Sequence, residues 1–149
     1  MTAREANPAM MDPLEFARLV KATSSTELRQ MMQGDQRGAV LDELFRRMPD
    51  VFRADRAGST DAVVHWVIGD RPDGGTDKYE LVIANGTCEV SAQPERSPKL
   101  TLTIGVVDFL NLVTGNAHPV ALVMKGKLKT KGDLGLTAKY PTFFDVPKP

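Results

Sequence analysis

Cysteine is nearly missing from this chain: Cys88 is the only one in 149 residues. A single thiol cannot close an intramolecular disulfide, and it excludes zinc sites built on several thiolates. Histidine is almost as scarce, with His65 and His118 alone. Two histidines and one cysteine without a ligand spacing make a poor metal set, and no metal is expected. Long apolar runs are missing as well. Nowhere do about 18 apolar residues follow one another, so no transmembrane helix is expected. The N-terminus, with Arg4 and Glu5, does not read as a secretion signal. The ending Val146-Pro147-Lys148-Pro149 is not a Ser-Lys-Leu peroxisomal address, which leaves the cytoplasm as the default location. Net charge is the last absence. Lys+Arg and Asp+Glu both total 19, so the chain has no positive excess with which to neutralise phosphates, and nucleic acid is not an expected partner.

What is present suits one folded domain. Hydrophobic residues make up 42% and charged residues 26% of the chain, which rules against general disorder, and the length allows a substantial core. Residues 1–11 lack a periodic pattern and read as a disordered tail, leaving 12–149 as the domain. Asp12 is placed to cap a helix that has Pro13 in its first turn and Phe16, Leu19 and Val20 on one face. Ser24 and Glu27 repeat the signal, and an apolar stripe runs on, interrupted near Gly34, to Phe45 and Met48 before Pro49 stops it.

Near Asp61 the period changes from helical to two. Val64, Trp66 and Ile68 fall on one side of a strand, with Val63, His65 and Val67 on the other. Two more strands follow, around Tyr79–Ile83 and Cys88–Ala92, joined by Asn85-Gly86, the signal for a tight hairpin turn. Leu100, Leu102 and Ile104 form a fourth strand. Val106, Phe109, Leu110 and Val113 then share a helical face, ended by Gly115 in a left-handed cap. Pro119 opens a short helix through Met124, a fifth strand covers Lys127 to Lys131, and Asp133 caps a last helix that Pro141 cuts off. The pattern predicts an α/β (α+β) domain with a five-stranded, mainly antiparallel sheet and helices on one face.

The stretch from Leu100 to Tyr140 resembles the sterol carrier protein-2 family. The residues that carry the likeness are Leu102-Thr103-Ile104, Asp108 with Phe109-Leu110, Thr114-Gly115, Pro119, and above all the run Gly126-Lys127-Leu128-Lys129-Thr130-Lys131-Gly132-Asp133-Leu134-Gly135-Leu136. The resemblance implies helices packed over one sheet face with an apolar tunnel between the layers, closed in part by the C-terminal segment. It implies binding of sterols, fatty acids or fatty acyl thioesters, with no metal and no organic cofactor. Two features depart from the family pattern: Leu122, where a small alanine is common, and the ending Tyr140-Pro141-Thr142-Phe143-Phe144.

Trp66, Leu102, Ile104, Phe109, Leu112, Val113, Met124 and Leu136 are the candidate ligand contacts, with Phe143 and Phe144 as candidate lid residues. Each has a plainer reading as core, because apolar stripes pack interiors more often than they line cavities. From pattern alone, a sheet under helices forms either a filled core or a lined cavity. The carrier reading therefore stands beside a protein-interaction module that uses the same fold with its cavity collapsed. Catalysis is not expected; it would need a cluster such as His65 and Asp108 converging in one pocket. Lys127, Lys129 and Lys131 share a strand face. They suit either transient contact with an anionic membrane or protection of an edge strand against unwanted pairing.

Overall fold

Because period-two sequence begins only near residue 62, four α-helices precede the first strand. The computed structural model describes residues 10–149. The expected disordered tail falls mostly outside the described residues; at its end Met11 packs against the core, and its carbonyl accepts a bond from the Arg47 guanidinium at 3.0 Å. Helix α1 (Pro13–Ala22) starts where Asp12 accepts from the Leu14 N–H at 2.8 Å, and α2 (Ser25–Met31) where Ser24 accepts from Glu27 at 3.2 Å. These caps satisfy backbone donors that the first helical turn leaves without partners. Helix α3 (Gln36–Arg46) follows, then a 3-10 turn (Met48–Val51) and the single turn α4 (Ala54–Ala57).

The strands are β1 (Ala62–Ile68), β2 (Asp77–Ala84), β3 (Thr87–Ser91), β4 (Leu100–Ile104) and β5 (Leu128–Gly132), in the order β3-β2-β1-β4-β5. All neighbours pair antiparallel except β1 and β4, which are parallel. The Asn85-Gly86 turn has φ of 54° and 74°, the left-handed geometry that a two-residue hairpin requires. Helices α5 (Val106–Val113) and α6 (Pro119–Met124) lie between β4 and β5, and α7 (Leu134–Lys139) runs into a second 3-10 turn (Tyr140–Phe143).

One sheet face is fully covered. Ala62, Val64, Trp66 and Ile68 of β1 and Tyr79, Leu81 and Ile83 of β2 are buried there. Phe45 of α3 stacks on Tyr79 with ring centroids 3.9 Å apart and on Phe109 of α5 at 5.1 Å, and it meets the Trp66 edge at 6.2 Å. Such pairs add about 0.5–1.5 kcal/mol each beyond the area they bury. Two charged residues reinforce the frame. Arg37 of α3 is buried, and its guanidinium donates to Asp77 at 2.7 Å and to the carbonyls of Gly69 at 2.7 Å and Asp70 at 3.0 Å. It thus fastens the helix to the end of β1.

Glu80 occupies the other sheet face and is only 1% exposed. Its carboxylate accepts from the N–H groups of Arg96 at 2.9 Å and Glu95 at 3.1 Å, from the Arg96 guanidinium at 3.0 Å, and bonds His65 at 2.9 Å. These contacts hold the connection from β3 to β4 against the sheet. Burial alone would disfavour the charge, but the bonds from Arg96, His65 and Glu95 outweigh it and hold the carboxyl at about 2, below the ordinary 4.5. The folded form therefore gains stability from Glu80 above pH 4.5 and loses it as the pH falls toward 2. That gain is about 3 kcal/mol from the size of the shift. We expect Glu80→Gln to lower the thermal midpoint at neutral pH and to flatten its fall in acid. Parallel pH–melting curves for the two proteins check this; an unchanged acid limb would remove Glu80 from the account.

Candidate functional site

The covered face is not filled. Between the sheet and the helices lies a cavity of about 400 Å³. Its floor is Trp66 of β1, Leu102 of β4, and Leu128 and Thr130 of β5; Phe16 and Leu44 close one side, and Leu112 and Val113 of α5 another. Helix α6 supplies Val120, Val123 and Met124 at the mouth. This helix begins where Pro119 occupies its first turn and the His118 ring accepts from the Val120 N–H at 3.1 Å. Polar residues are few: Arg47, Thr114, Thr130, Thr137, Tyr140 and Asp145 are those in the lining. Thr114 already donates to the Leu110 carbonyl at 2.6 Å. Such a space admits an apolar body and offers little to a polar one.

The C-terminal segment forms the remaining wall. Tyr140 is buried beside Trp66, and its hydroxyl accepts from the indole N–H at 2.9 Å. Burial raises the Tyr140 pKa against the opposing effect of that bond, so the phenol stays neutral. Beyond it the chain is pinned to residues 51–56. The Phe143 carbonyl accepts from the Arg53 N–H at 2.6 Å, Phe144 bridges Phe52, and the Asp145 N–H donates to Val51 at 2.9 Å. The Asp145 carboxylate also meets Arg53 at 2.9 Å and Arg56 at 3.3 Å. Pro147 then crosses Gly115, whose φ is 79°; a Cβ at that position would collide with the Pro147 carbonyl.

Of the residues singled out from the sequence, Trp66, Leu102, Leu112, Val113, Met124 and Phe144 come together around the cavity. Ile104, Phe109, Leu136 and Phe143 lie in the adjoining core instead and are absent from the lining. The terminal aromatic pair is thus split, with Phe144 at the wall and Phe143 beneath it. Leu122 is buried away from the lining, so its extra methylenes pack core. The contributions of Pro13, Phe16, Leu44 and Val146 were not singled out from the sequence; Phe16 and Leu44 carry the apolar stripe signal, but the stripe does not say which part faces a void.

The chemically versatile residues lie elsewhere. His65 binds Glu80 on the opposite sheet face from Trp66, so it does not converge with Asp108 in the first turn of α5. Burial, with the Glu89 charge adding to it, pushes the Cys88 thiol up to about 12, far from the thiolate a nucleophile needs at neutral pH. Among the described residues no cluster of three or more His, Cys, Asp or Glu side chains is arranged to hold a metal ion. We expect Tyr140→Phe to leave the Trp66 N–H buried without an acceptor, at a cost of about 1–3 kcal/mol. A lower denaturation midpoint together with a shifted tryptophan emission would register it; an unchanged midpoint would mean the indole finds another acceptor.

Relatives share both the sequence pattern and the fold. The chain is 26% identical over 119 residues to hydroxysteroid dehydrogenase-like protein 2 of Xenopus tropicalis, covering 79% of this chain and 28% of that protein. It is 32% identical over 72 residues to sterol carrier protein 2 of Homo sapiens, covering 48% of this chain and 13% of the human protein. The chain therefore spans less than a third of the length of either curated relative. Among solved structures, the apo form of sterol carrier protein 2 from Yarrowia lipolytica superposes with a TM-score of 0.57 at 21% identity, covering 75% of this chain and 93% of that one. The SCP-2 sterol transfer family as a whole matches residues 41–145, a span that takes in the entire sheet and most of the cavity. The chain belongs to the SCP-2 sterol transfer family.

Proposed function

We propose that this protein takes a fatty acyl chain or a sterol-like ring system into the cavity and carries it, without making or breaking bonds. The observation that carries this reading is the apolar void of about 400 Å³ left between sheet and helices. Trp66, Leu102, Leu112, Val113, Met124 and Phe144 are the proposed ligand contacts, with Ile104, Phe109, Leu136 and Phe143 holding them in place from the core. Removing apolar surface from water stabilises the complex by about 25 cal/mol per Å², so a long chain gains affinity with few polar contacts. Membership of a lipid-transfer family supports the same reading. Entry requires α6 or the terminal wall to loosen. Transient membrane contact through Lys127, Lys129 and Lys131 completes the cycle.

Titration with a fluorescent fatty acid or sterol analogue, with no added metal or nucleotide, tests the proposal. Wild type is expected to bind, and Val113→Gln to bind about tenfold more weakly, because it puts an unpartnered amide in the lining. Circular dichroism of the variant guards against misreading a loss of fold. Folded wild type that ignores a broad panel of lipids would sink the carrier reading.

The terminal wall allows a separate measurement. Truncation after Asp145 removes Val146 and Pro147 from the lining but keeps the buried Phe143 and the bonds to Val51, Arg53 and Arg56. We expect the truncated protein to keep its circular dichroism spectrum and melting midpoint while releasing ligand faster. An unchanged release rate in a stable protein would make the wall a bystander.

A further inference from the structure

The cavity mouth has an unusual rim. Val120 is 57% exposed, Val123 43% and Met124 82%, and Val146 across the opening is 45% exposed. All four also line the cavity. These side chains therefore have one side in water and the other on the void, and among the described residues nothing covers them. The next residues change character abruptly. Lys125, Lys127, Lys129 and Lys131 follow within seven positions, and no Asp or Glu occurs from Pro119 to Gly132. A chain of zero net charge thus concentrates four cations beside this exposed apolar rim. These lysines are not neutralised internally: among the described residues every ion pair uses an arginine or His65.

Topology brings the two features to one edge. β5 is the last strand of the sheet, with Leu128 and Thr130 turned to the cavity, so that Lys129 and Lys131 project from the opposite face of the same strand. Helix α6 leads directly into that edge through Lys125. A flat surface approaching β5 meets hydrocarbon-matching side chains on one flank and cations on the other.

We propose that this edge, α6 with β5, is the face by which the protein docks on an anionic lipid bilayer, with the cavity mouth turned to the hydrocarbon. The inference rests on the carrier reading for its purpose but not for its test. Charge complementarity selects the partner. Anionic headgroups match the lysines, and the acyl region just beneath them matches Val120, Val123 and Met124, an arrangement that basic amphipathic surfaces use at membranes. Nucleic acid would satisfy the lysines and leave the apolar rim in water. A second copy meeting this face about a two-fold axis would bring like lysines together.

The full chain is mixed with vesicles of phosphatidylcholine alone and of phosphatidylcholine with phosphatidylserine, and the floated fraction is measured. Binding is expected only to the vesicles containing phosphatidylserine, and high salt is expected to release it. Each lysine neutralised should weaken binding about fivefold, and each one reversed to Glu by more than that. Lys127→Glu and Lys129→Glu are the variants of choice, since they keep a charge on the edge strand and so guard against aggregation. Met124→Ser should weaken vesicle binding without disturbing an already exposed position. The same variants titrated with fluorescent fatty acid and no vesicles should bind like wild type for the two lysine changes. A wild type that binds fatty acid but floats with neither vesicle, or with both equally, overturns the docking face and leaves the carrier standing. Vesicle binding without fatty acid binding does the reverse. A dimer in solution that Met124→Ser dissociates would assign the rim to a second copy and overturn the proposal.

Discussion

The bond from the Trp66 indole to the Tyr140 hydroxyl joins the central strand to the terminal wall, and the shape of the interior follows from it. Trp66 belongs to two environments. Its ring meets Phe45 and Phe109 edge-on in the core, while it also forms part of the cavity floor. A buried indole N–H requires an acceptor, and the one it has among the described residues comes from the segment after α7. Satisfying that donor draws Tyr140 down onto the sheet and sets the path of everything that follows it. From there Phe143 enters the core and Phe144 turns to the void. The cavity is therefore bounded by a polar bond that the apolar lining does not reveal.

The sheet's two faces divide the work. The covered face carries the aromatic pile and the void, whereas the other carries the Glu80 carboxylate with its four bonds. Arg37 and Glu80 act at opposite ends of the same problem. One fastens a helix to the end of β1; the other holds down the connection that lets β4 lie parallel to β1. A buried charge is stabilising only when its bonds are complete, and both groups meet that condition among the described residues, where no buried side-chain nitrogen or oxygen lacks a partner.

What could be read from the sequence was local chemistry. Asp12, Ser24 and Asp133 cap helices where their residue types predict, because a cap involves neighbours two or three positions away. The Asn85-Gly86 turn and the five alternating strands are local in the same sense, and the family resemblance in Leu100–Tyr140 agrees with the span 41–145 that the family matches. Long-range partnerships were hidden. Nothing near Arg37 announces a partner forty positions away, and nothing near Trp66 announces Tyr140. The division between lining and core was hidden for another reason. Phe109 and Val113 are one helical turn apart on the same face of α5, yet the first is sealed in core and the second borders the void. Periodicity reports the side of a helix, and a cavity is smaller than a side.

The strand order β3-β2-β1-β4-β5 also bears on how the chain reaches its native state. The three meander strands pair across short connections, whose closure carries a small entropic penalty. β4 joins β1 only after the chain has passed back over two strands, and β5 joins β4 only after two helices intervene. Non-local pairings of this kind are the slow part of assembly. The void takes residues from Pro13 at one end of the domain to Pro147 at the other. Its sheet floor and helical walls are drawn from both ends of the domain, so ligand binding reports on the assembled domain rather than on the meander alone.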